Sequence, residues 1–322
     1  MSAPRRSTRL SAQADTKLAP LPPPPSRRKR KRRAQPAAPR PLTPTPEPTL
    51  ARIADPASTN ATLVSPETSR LVASRHAGSV SPSKAQAVRT TTHTILQEAC
   101  EHLIKVDERL RPLIEKNPCK MFSPEGLAER IDPFESLASG IISQQVSGAA
   151  AKSIKAKFVG LFGQHEDPTP RFPHPSEVAQ CPLDKLRTAG LSQRKAEYIQ
   201  GLADKFASRE LSANMLHDAP YDELVERLVA VRGLGRWSVE MFALFGLKRM
   251  DVFSTGDLGV QRGMAAFAGR DVAKLKSKGG KWKYMSEKDM LDMSAKFAPY
   301  RSLFMWLMWK AEDSFTDVST ME

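Results

Sequence analysis

Apolar residues recur at helical spacing through most of the chain from about residue 92 onward. The segment "ILQEACEHLIKVDERLRPLIEK" opens this pattern. Its apolar stripe consists of Ile95, Cys100, Leu103 and Ile104, followed by Val106, Leu110 and Leu113. Intervals of three and four residues put such positions on one face of a helix, so the segment is predicted to be helical.

A second apolar block, between Phe134 and Phe162, predicts two helices joined by a short turn. The first helix places Phe134, Leu137, Ile141 and Ile142 on one face, and the second carries Ile154, Phe158 and Leu161. The polar segment "SQQVSG" interrupts the pattern between them, and Ser147 is a suitable N-cap for the second helix.

The remaining patterns also favour helices. The segment "PLDKLRTAGLSQRKAEYIQGLADKF" predicts a short helix that ends near Gly190 and a longer one that starts near Ser192. Two further helices, at about 222–230 and 236–245, flank "VRGLGRW". The terminal segment "SLFMWLMWK" is apolar nearly all round, which is typical of a buried helix.

Two segments lack such periodicity. The Pro-rich "EDPTPRFPHPSE" is interpreted as a loop, and "AGRDVAKLKSKGGKWKYMS" as a surface insertion or a mobile loop. No alternating strand pattern competes with the helices. We therefore expect an all-α fold, with residues 91–322 forming the folded domain.

Charge and proline content set residues 1–90 apart from that domain. They hold 17 Lys and Arg residues against 4 Asp and Glu residues, and 15 of the 26 prolines. The rest of the chain is almost neutral, with 32 basic and 31 acidic residues. A proline-rich segment without an apolar period cannot bury enough surface to offset its ordering entropy, so we expect a disordered tail.

The tail contains the basic run "RRKRKRR". It is interpreted as a nuclear-import signal read by an import receptor, or as a nonspecific DNA tether; a solvated charge run is the alternative. Its residues are Arg27, Arg28, Lys29, Arg30, Lys31, Arg32 and Arg33. The expected localisation is therefore the nucleus.

Several classes of protein are disfavoured by what the sequence lacks. The cysteines Cys100, Cys119 and Cys181 form no metal-type spacing, and the six histidines form no zinc motif. Nucleotide-binding and serine-hydrolase motifs are also missing, as is any apolar stretch long enough to span a membrane. We therefore expect an intracellular protein with neither a metal centre nor a membrane segment.

The glycines of "VRGLGRW" lie between two predicted helices. A Gly-x-Gly hairpin lets backbone N–H groups at the start of the second helix face an anion such as a DNA phosphate. The alternative is a plain helical corner, in which Gly233 closes one helix and Gly235 starts the next. A third glycine at dinucleotide-binding spacing is missing, as is a preceding strand.

The residues that follow extend this pattern to "VRGLGRWSVEMFALFGLKRMDVFSTGDLGVQRG". With "FESLASGIISQQVSGAAAKSIKAKF", "LRTAGLSQRKAEYIQGLA" and "FAPYRSLFMWLMWK", it resembles the HhH-GPD superfamily of DNA glycosylases. The resemblance is to the AlkA-like branch that excises alkylated bases, particularly its compact eukaryotic members. It covers about residues 134–310 and implies two helical lobes, with the hairpin at about 222–246 and a catalytic loop at about 251–263.

The resemblance implies that Asp257 is the catalytic carboxylate of a base-excision reaction. Cleavage of an N-glycosidic bond builds positive charge on the sugar, which an ionised carboxylate stabilises while it orients water. The simpler alternative is an N-cap aspartate at the start of a helix, and the two roles are compatible.

A bifunctional relative carries a lysine nucleophile two residues after the second hairpin glycine, where this chain has Trp237. Without that amine, an imine with the sugar and a strand-cleaving step are not expected. The resemblance therefore implies a monofunctional glycosylase that hydrolyses alkylated purines such as 3-methyladenine and 7-methylguanine and leaves an abasic site.

The resemblance also assigns a base pocket and a wedge. Trp237 and Tyr300 match pocket aromatics, and Met241 stands where the bacterial relative has Tyr; as an alternative, Trp237 and Met241 are core residues. Gln145 matches the intercalating position, whereas Gln144 and Gln145 could instead be polar caps between helices.

The hairpin is expected to hold DNA phosphate through Gly233, Leu234, Gly235 and Arg236. Arg194, Lys195 and Arg262 are further charge candidates. The family allows a monovalent cation on the hairpin carbonyls, and no other cofactor is expected. No cysteine follows Cys181, so the iron–sulfur cluster of a related branch is not expected.

The expected partner is duplex DNA containing alkylated bases, and the expected state is a monomer. One alternative is a same-fold glycosylase for other lesions, such as deaminated bases or cyclic adducts. Another is a non-catalytic helix–hairpin–helix protein that only binds DNA or serves as a repair scaffold.

Overall fold

The computed structural model describes residues 93–163, 171–277 and 279–315, without the side chains of 312–315. The predicted tail and the basic run Arg27–Arg33 lie outside these residues, so the division at residue 90 stays a prediction. Within the described ranges the chain is helical and contains no β-strand. None of these helices is long and apolar enough to cross a membrane.

The α-helices of the described residues are numbered here in chain order. They are α1 Ile95–Val106, α2 Arg111–Lys116, α3 Pro124–Ala128, α4 Pro133–Ser143, α5 Gly148–Gly160, α6 Pro175–Ala179, α7 Leu183–Arg187, α8 Gln193–Ala207, α9 Ala213–Asp218, α10 Tyr221–Val229, α11 Arg236–Met241, α12 Leu258–Phe267, α13 Val272–Lys276, α14 Glu287–Ala295 and α15 Arg301–Phe315. A π-helical turn, Phe242–Gly246, continues α11.

The helices form two packed groups, as the predicted lobes require. In one group α8 contacts α4, α6 and α7, and in the other α15 contacts α1, α2, α12 and α14. Helices α10 and α11 contact each other, and the π-helical turn reaches α4. One apolar cluster runs through both groups and includes Phe134 of the first and Phe304 of the second. Removing such side chains from water is the main stabilising contribution to a fold of this kind.

Serine hydroxyls cap two helix starts where the sequence predicted them. The Ser147 hydroxyl accepts a hydrogen bond from the Ala150 N–H, and the Ser192 hydroxyl accepts one from the Lys195 N–H. Gly190 has a φ of +96°, which suits a glycine after the end of α7. The predicted helix–turn–helix around "SQQVSG" and the break near Gly190 are therefore confirmed.

Two local expectations were wrong, and a third was wrong in one of its two alternatives. Val106 was placed on the apolar stripe but is 36% exposed, because α1 ends there and the backbone becomes extended at Asp107. The predicted loop "EDPTPRFPHPSE" contains the start of α6, which His174 and Glu177 stabilise with a capping box. The predicted insertion contains α13 and buries Val272 and Tyr284, so this part is packed rather than a free loop.

Candidate active site and hairpin

The hairpin between α10 and α11 depends on a glycine in the left-handed region. Gly233 has a φ of +93°, and a Cβ added there would lie 2.4 Å from the ring of Tyr198. Gly235 is the N-cap of α11, where its φ is −82° and its surroundings are open. The two glycines thus have different uses: Gly233 permits the turn and the close approach of α8, and Gly235 leaves the start of α11 uncovered.

In the part of the chain that the structure describes, no side chain caps the start of α11. The first N–H groups of a helix need partners and carry a partial positive charge. Leu234 is buried, so any contact it makes with an anion is through its backbone. Arg236 is exposed beside the hairpin, and its guanidinium Nε donates to Glu240 at 2.9 Å. An exposed, uncapped helix start with an arginine beside it can accept an anion.

The turn between α4 and α5 is tied to this hairpin. The side-chain amide of Gln144 donates to the carbonyl of Gly233 at 2.9 Å. Gln145, which follows it, is exposed and has a φ of +55°. The two glutamines predicted for the wedge therefore differ: Gln144 faces the hairpin, and Gln145 stands at the surface.

Lys195 holds the same turn from α8. Its ammonium donates to the carbonyl of Ile142 at 2.8 Å and to that of Gln144 at 2.6 Å. A cation that binds the last carbonyls of a helix also complements the negative end of the helix dipole. Burial lowers the pKa of Lys195. The structure thus places this predicted DNA-contact candidate in a structural role at the end of α4.

Asp257 lies where α11, α12 and α15 meet. Its Oδ1 accepts a hydrogen bond from the Val260 N–H at 2.9 Å, so it caps α12. The carboxylate is also the acceptor for two indoles, from Trp237 Nε1 to Oδ2 at 2.7 Å and from Trp309 Nε1 to Oδ1 at 2.9 Å. Only 9% of Asp257 is exposed. The Asp257 side chain therefore caps α12 and also accepts hydrogen bonds from two indoles, so the two roles that the sequence suggests for it are compatible in the structure.

Trp237 presents its edge to this carboxylate while half of its surface remains exposed. A half-exposed tryptophan beside a nearly buried carboxylate leaves an aromatic surface for a planar group to stack on. The sequence-predicted pair of Trp237 and Asp257 is thus brought together across 20 residues of chain.

The other two predicted pocket residues have different surroundings. Met241, the last residue of α11, is partly buried against the apolar core. Tyr300 directly precedes α15, and its ring packs edge to face on His102 at 5.4 Å. Burial raises the pKa of Tyr300. Both stay predicted pocket residues, and the contacts described for them are with the protein itself.

Glu240 is a buried acid on the hairpin helix that the sequence pattern does not reveal. Glu240 is 3% exposed and accepts hydrogen bonds from Ser254 Oγ at 2.5 Å and from Arg236 Nε at 2.9 Å. Burial raises the pKa of Glu240, and the bonds from Ser254 and Arg236 oppose that rise. Because Ser254 is three residues before Asp257, the Glu240 carboxyl connects α11 to the loop that precedes α12. Its position within "RWSVEMF" resembles an exposed helix face, so only the fold reveals it.

Metal ligands are not assembled in this part of the chain. In the described ranges, no group of three or more His, Cys, Asp and Glu side chains could hold a metal ion. The three cysteines are free thiols, and burial raises the pKa of Cys119 to about 11. A thiol held in that form is a poor nucleophile and a poor metal ligand.

Comparison with known proteins identifies the family of this arrangement. A sequence profile of the HhH-GPD superfamily, base excision DNA repair proteins, matches residues 138–278. The DNA-3-methyladenine glycosylase of Saccharomyces cerevisiae is 36% identical over 240 residues, which cover 68% of this chain and 80% of the yeast protein.

Solved structures that share the fold include the following two. One is the DNA-3-methyladenine glycosidase of Bacillus halodurans, with a TM-score of 0.51, 29% identity, and coverage of 68% of this chain and 91% of that protein. The other is the 3-methyladenine DNA glycosylase of Schizosaccharomyces pombe in complex with abasic DNA, with a TM-score of 0.50, 26% identity, and coverage of 66% and 95%. Together with the hairpin and the Asp257 site, these similarities show that the chain belongs to the HhH-GPD superfamily of base excision DNA repair proteins, in the branch of the 3-methyladenine DNA glycosylases.

Proposed function

We propose that the protein is a monofunctional DNA glycosylase that hydrolyses the N-glycosidic bond of alkylated purines, such as 3-methyladenine and 7-methylguanine, in duplex DNA. The observation that carries the proposal is the nearly buried carboxylate of Asp257 beside the half-exposed face of Trp237. The names of the similar proteins from two yeasts and a Bacillus support the same substrate class.

Asp257 is the proposed catalytic residue. As the bond from the sugar to the base breaks, C1′ gains positive charge, and a carboxylate beside it lowers the energy of that state. The same carboxylate orients a water molecule for attack on C1′. An alkylated purine is itself cationic and a good leaving group, so this chemistry requires no cofactor.

Trp237 is the proposed main contact with the flipped base. Its N–H is bound to Asp257, which fixes the ring and leaves its face for stacking. An aromatic face attracts a cationic base by about 0.5–2 kcal/mol, depending on how completely water is excluded. Tyr300 and Met241 complete the proposed pocket, and Met241 supplies a soft, adaptable surface.

The reaction is proposed to stop at the abasic site. A strand-cleaving glycosylase needs an amine to form an imine with the sugar. At the hairpin position that would carry this amine, the chain has the indole of Trp237, which forms no imine. The product therefore keeps an intact phosphodiester backbone.

DNA is proposed to bind along the hairpin and the neighbouring turn. Gly233, Leu234 and Gly235 offer backbone groups to a phosphate, and Arg236 adds a positive charge. Gln145 is the proposed wedge, because it stands exposed in the turn, whereas the amide of Gln144 is already bound to the hairpin. A side chain inserted into the stack replaces the flipped base.

A monovalent cation fits the hairpin backbone in part. The carbonyl of Gly233 accepts one hydrogen bond, from Gln144, and keeps a second lone pair for a cation. Such an ion would steady the hairpin and add positive charge near a bound phosphate.

The remaining proposals concern the cellular setting. The basic run Arg27–Arg33 would be read by an import receptor, which places the enzyme in the nucleus. No coiled-coil pattern suggests a second subunit, so the proposed active form is a monomer on duplex DNA.

Base release from treated DNA tests the proposed function. The full-length protein is incubated with duplex DNA that has been exposed to a methylating agent, and free bases are separated and identified. Strand breaks are counted before and after alkaline heating. We expect free 3-methyladenine and 7-methylguanine, with breaks only after alkali.

Parallel duplexes with hypoxanthine and with 1,N6-ethenoadenine test the substrate class. If only those bases are released, the protein is a glycosylase of the same fold that acts on other lesions, and the proposed substrate class is wrong. Tight DNA binding without release of any base would leave a non-catalytic DNA-binding protein.

A further inference from the structure

A second indole, on the last described helix, also binds the carboxylate of Asp257. Trp309 lies on α15, 52 residues after Asp257, and its Nε1 donates to Oδ1 at 2.9 Å. Its side chain is half-buried and packs against the apolar core. Trp309 therefore joins the last described helix directly to the site of the proposed chemistry.

Two glycines of α12 allow this approach. A Cβ at Gly259 would lie 2.9 Å from Cδ1 of Trp309, and a Cβ at Gly263 would lie 1.8 Å from the carbonyl oxygen of Met308. Real Cβ atoms do not come this close to backbone or ring atoms. Helices α12 and α15 can therefore pack this tightly only with glycine at both positions, which suits a contact that must be held at a fixed distance.

A third ring fixes the orientation of Trp309. Phe245, in the π-helical turn after α11, stacks on it with 5.8 Å between ring centroids and 9° between planes. Trp309 is thus restrained by α12 at its edge and by the extension of α11 on its face. Since Trp237 is also on α11, both indoles that reach Asp257 are set by the hairpin helix and its continuation.

The hydrogen bonds divide the carboxylate into two unequal oxygens. Among the described residues, Oδ1 accepts from the Val260 N–H and from Trp309, whereas Oδ2 accepts from Trp237 alone. A carboxylate oxygen has about two acceptor directions, so Oδ1 is saturated and Oδ2 keeps one. All three donors are neutral groups. They fix the orientation of the carboxylate without placing a positive charge among its bonded partners that would compete with a sugar cation.

We propose that Trp309 is a positioning residue that saturates Oδ1 of Asp257 and so turns the free acceptor direction of Oδ2 toward the sugar. This inference rests on the proposed function, in which Asp257 faces the developing charge at C1′. Without the Trp309 donor, Oδ1 regains a free acceptor direction and the carboxylate keeps only its bonds from Val260 and Trp237, so its charge is aimed less firmly at the sugar.

The test uses two abasic duplexes and the full-length protein. One duplex carries a tetrahydrofuran nucleotide, which is neutral, and the other carries a pyrrolidine nucleotide, whose ring nitrogen is cationic and mimics the charged sugar. The ratio of the two dissociation constants reports how well the carboxylate faces that charge. A loss of general stability or of DNA contacts weakens both complexes and leaves the ratio unchanged.

Trp309→Phe removes the donor and keeps an aromatic ring. We expect the preference for the pyrrolidine duplex to fall about tenfold, and single-turnover release of 7-methylguanine to slow by about 10- to 100-fold, as for a displaced catalytic group. Affinity for the tetrahydrofuran duplex should not change. Trp306→Phe is the matched control, because Trp306 is half-buried on the same helix and lies against Lys310, and it should behave as the wild type does.

A second variant tests whether the loss comes from the missing N–H or from altered packing. Replacement of Trp309 by benzothienylalanine keeps the bicyclic shape and removes only the N–H, and it should reproduce the loss of Trp309→Phe. The inference is overturned if both variants keep the wild-type ratio and rate, or if they weaken the two duplexes equally. If the wild type itself releases no base and does not distinguish the duplexes, the proposed function fails, which is a different result from a failure at Trp309 alone.

Discussion

The site around Asp257 and the hairpin around Gly233 are held by different kinds of contact. Asp257 is bound by the side chains of Trp237 and Trp309, so its surroundings depend on the identity of particular indoles. Gly233 is held through its backbone: its carbonyl accepts a hydrogen bond from Gln144. Because it has no Cβ, the ring of Tyr198 can pack directly against it. Bond breaking needs a specific functional group, whereas phosphate binding without base reading needs only backbone in the right place.

This difference predicts that mutations in the two regions separate rate from binding. Changes at Asp257 should act on catalysis with little effect on DNA affinity. Changes at the hairpin should act on affinity and stability, with little effect on the rate of the bound complex.

Asp257→Asn should have the largest effect. Asn is a good N-cap, so α12 should keep its start, and the fold should persist. Loss of the negative charge beside the sugar should reduce single-turnover release of 7-methylguanine by about 10³-fold. The measurement is base release at saturating enzyme, with affinity for tetrahydrofuran DNA as the control. A variant that retains wild-type release would remove Asp257 from the chemistry.

Gly233→Ala should act mainly on the hairpin. The new Cβ would lie 2.4 Å from the Tyr198 ring, at a φ of +93° that L-residues rarely adopt. We expect a loss of about 1–3 kcal/mol in the free energy of unfolding and weaker binding of abasic DNA.

The matched control for Gly233→Ala is Gly201→Ala. Gly201 lies on α8, one turn beyond Tyr198, and a Cβ there meets nothing within 4 Å. Chemical denaturation of both variants measures the difference. Equal stability of the two would contradict the close approach of Gly233 and Tyr198.

Gln144→Ala should have a smaller effect on binding. It removes the hydrogen bond to the Gly233 carbonyl, which is worth about 1 kcal/mol, so affinity for abasic DNA should fall about fivefold. The rate of base release at saturating enzyme should not change. Gln193→Ala is the control, because the Gln193 amide binds only its exposed helical neighbour Glu197 in the contacts described. If Gln144→Ala changes the rate of base release instead of DNA affinity, the hairpin does not act on binding alone, which contradicts the proposed separation of rate from binding.

Asp132→Asn should change only the pH dependence of stability. Burial raises the pKa of Asp132 from 3.8 to about 6. The folded protein then binds a proton more tightly than the unfolded chain, so this contribution is full below pH 4 and is lost as the pH rises through 6. Asn retains the cap of α4. Unfolding measured from pH 4 to pH 7 should show this fall in the wild type and its absence in the variant.

The sequence predicted the parts of the site that depend on local order along the chain. The two hairpin glycines, the cap at Ser147 and the resemblance around Asp257 all lie in continuous segments. The predicted hairpin helix also proved continuous, although its second half, Phe242–Gly246, is a π-helical turn. Turn and cap chemistry acts over a few residues, so a sequence can reveal it.

The missed features depend on which faces of distant helices meet. Trp309 looked like one more apolar residue of a buried helix, and nothing local links it to an aspartate 52 residues earlier. Lys195 is a candidate DNA charge by sequence, but the fold brings it to the carbonyls at the end of α4. The prolines before α6 favour a loop, whereas Pro175 occupies the first helical position, where proline is tolerated.

In the proposed mechanism, the charge of Asp257 faces the sugar, and the hairpin holds DNA irrespective of that charge. The most direct test is the affinity of wild type, Asp257→Asn and Gly233→Ala for the tetrahydrofuran and pyrrolidine duplexes. We predict that the wild type prefers the cationic duplex by about 10- to 100-fold, as for a partly shielded ion pair. Asp257→Asn should lose this preference, and Gly233→Ala should bind both duplexes more weakly at an unchanged ratio. If Asp257→Asn still prefers the pyrrolidine duplex, the proposed role of the Asp257 charge is contradicted.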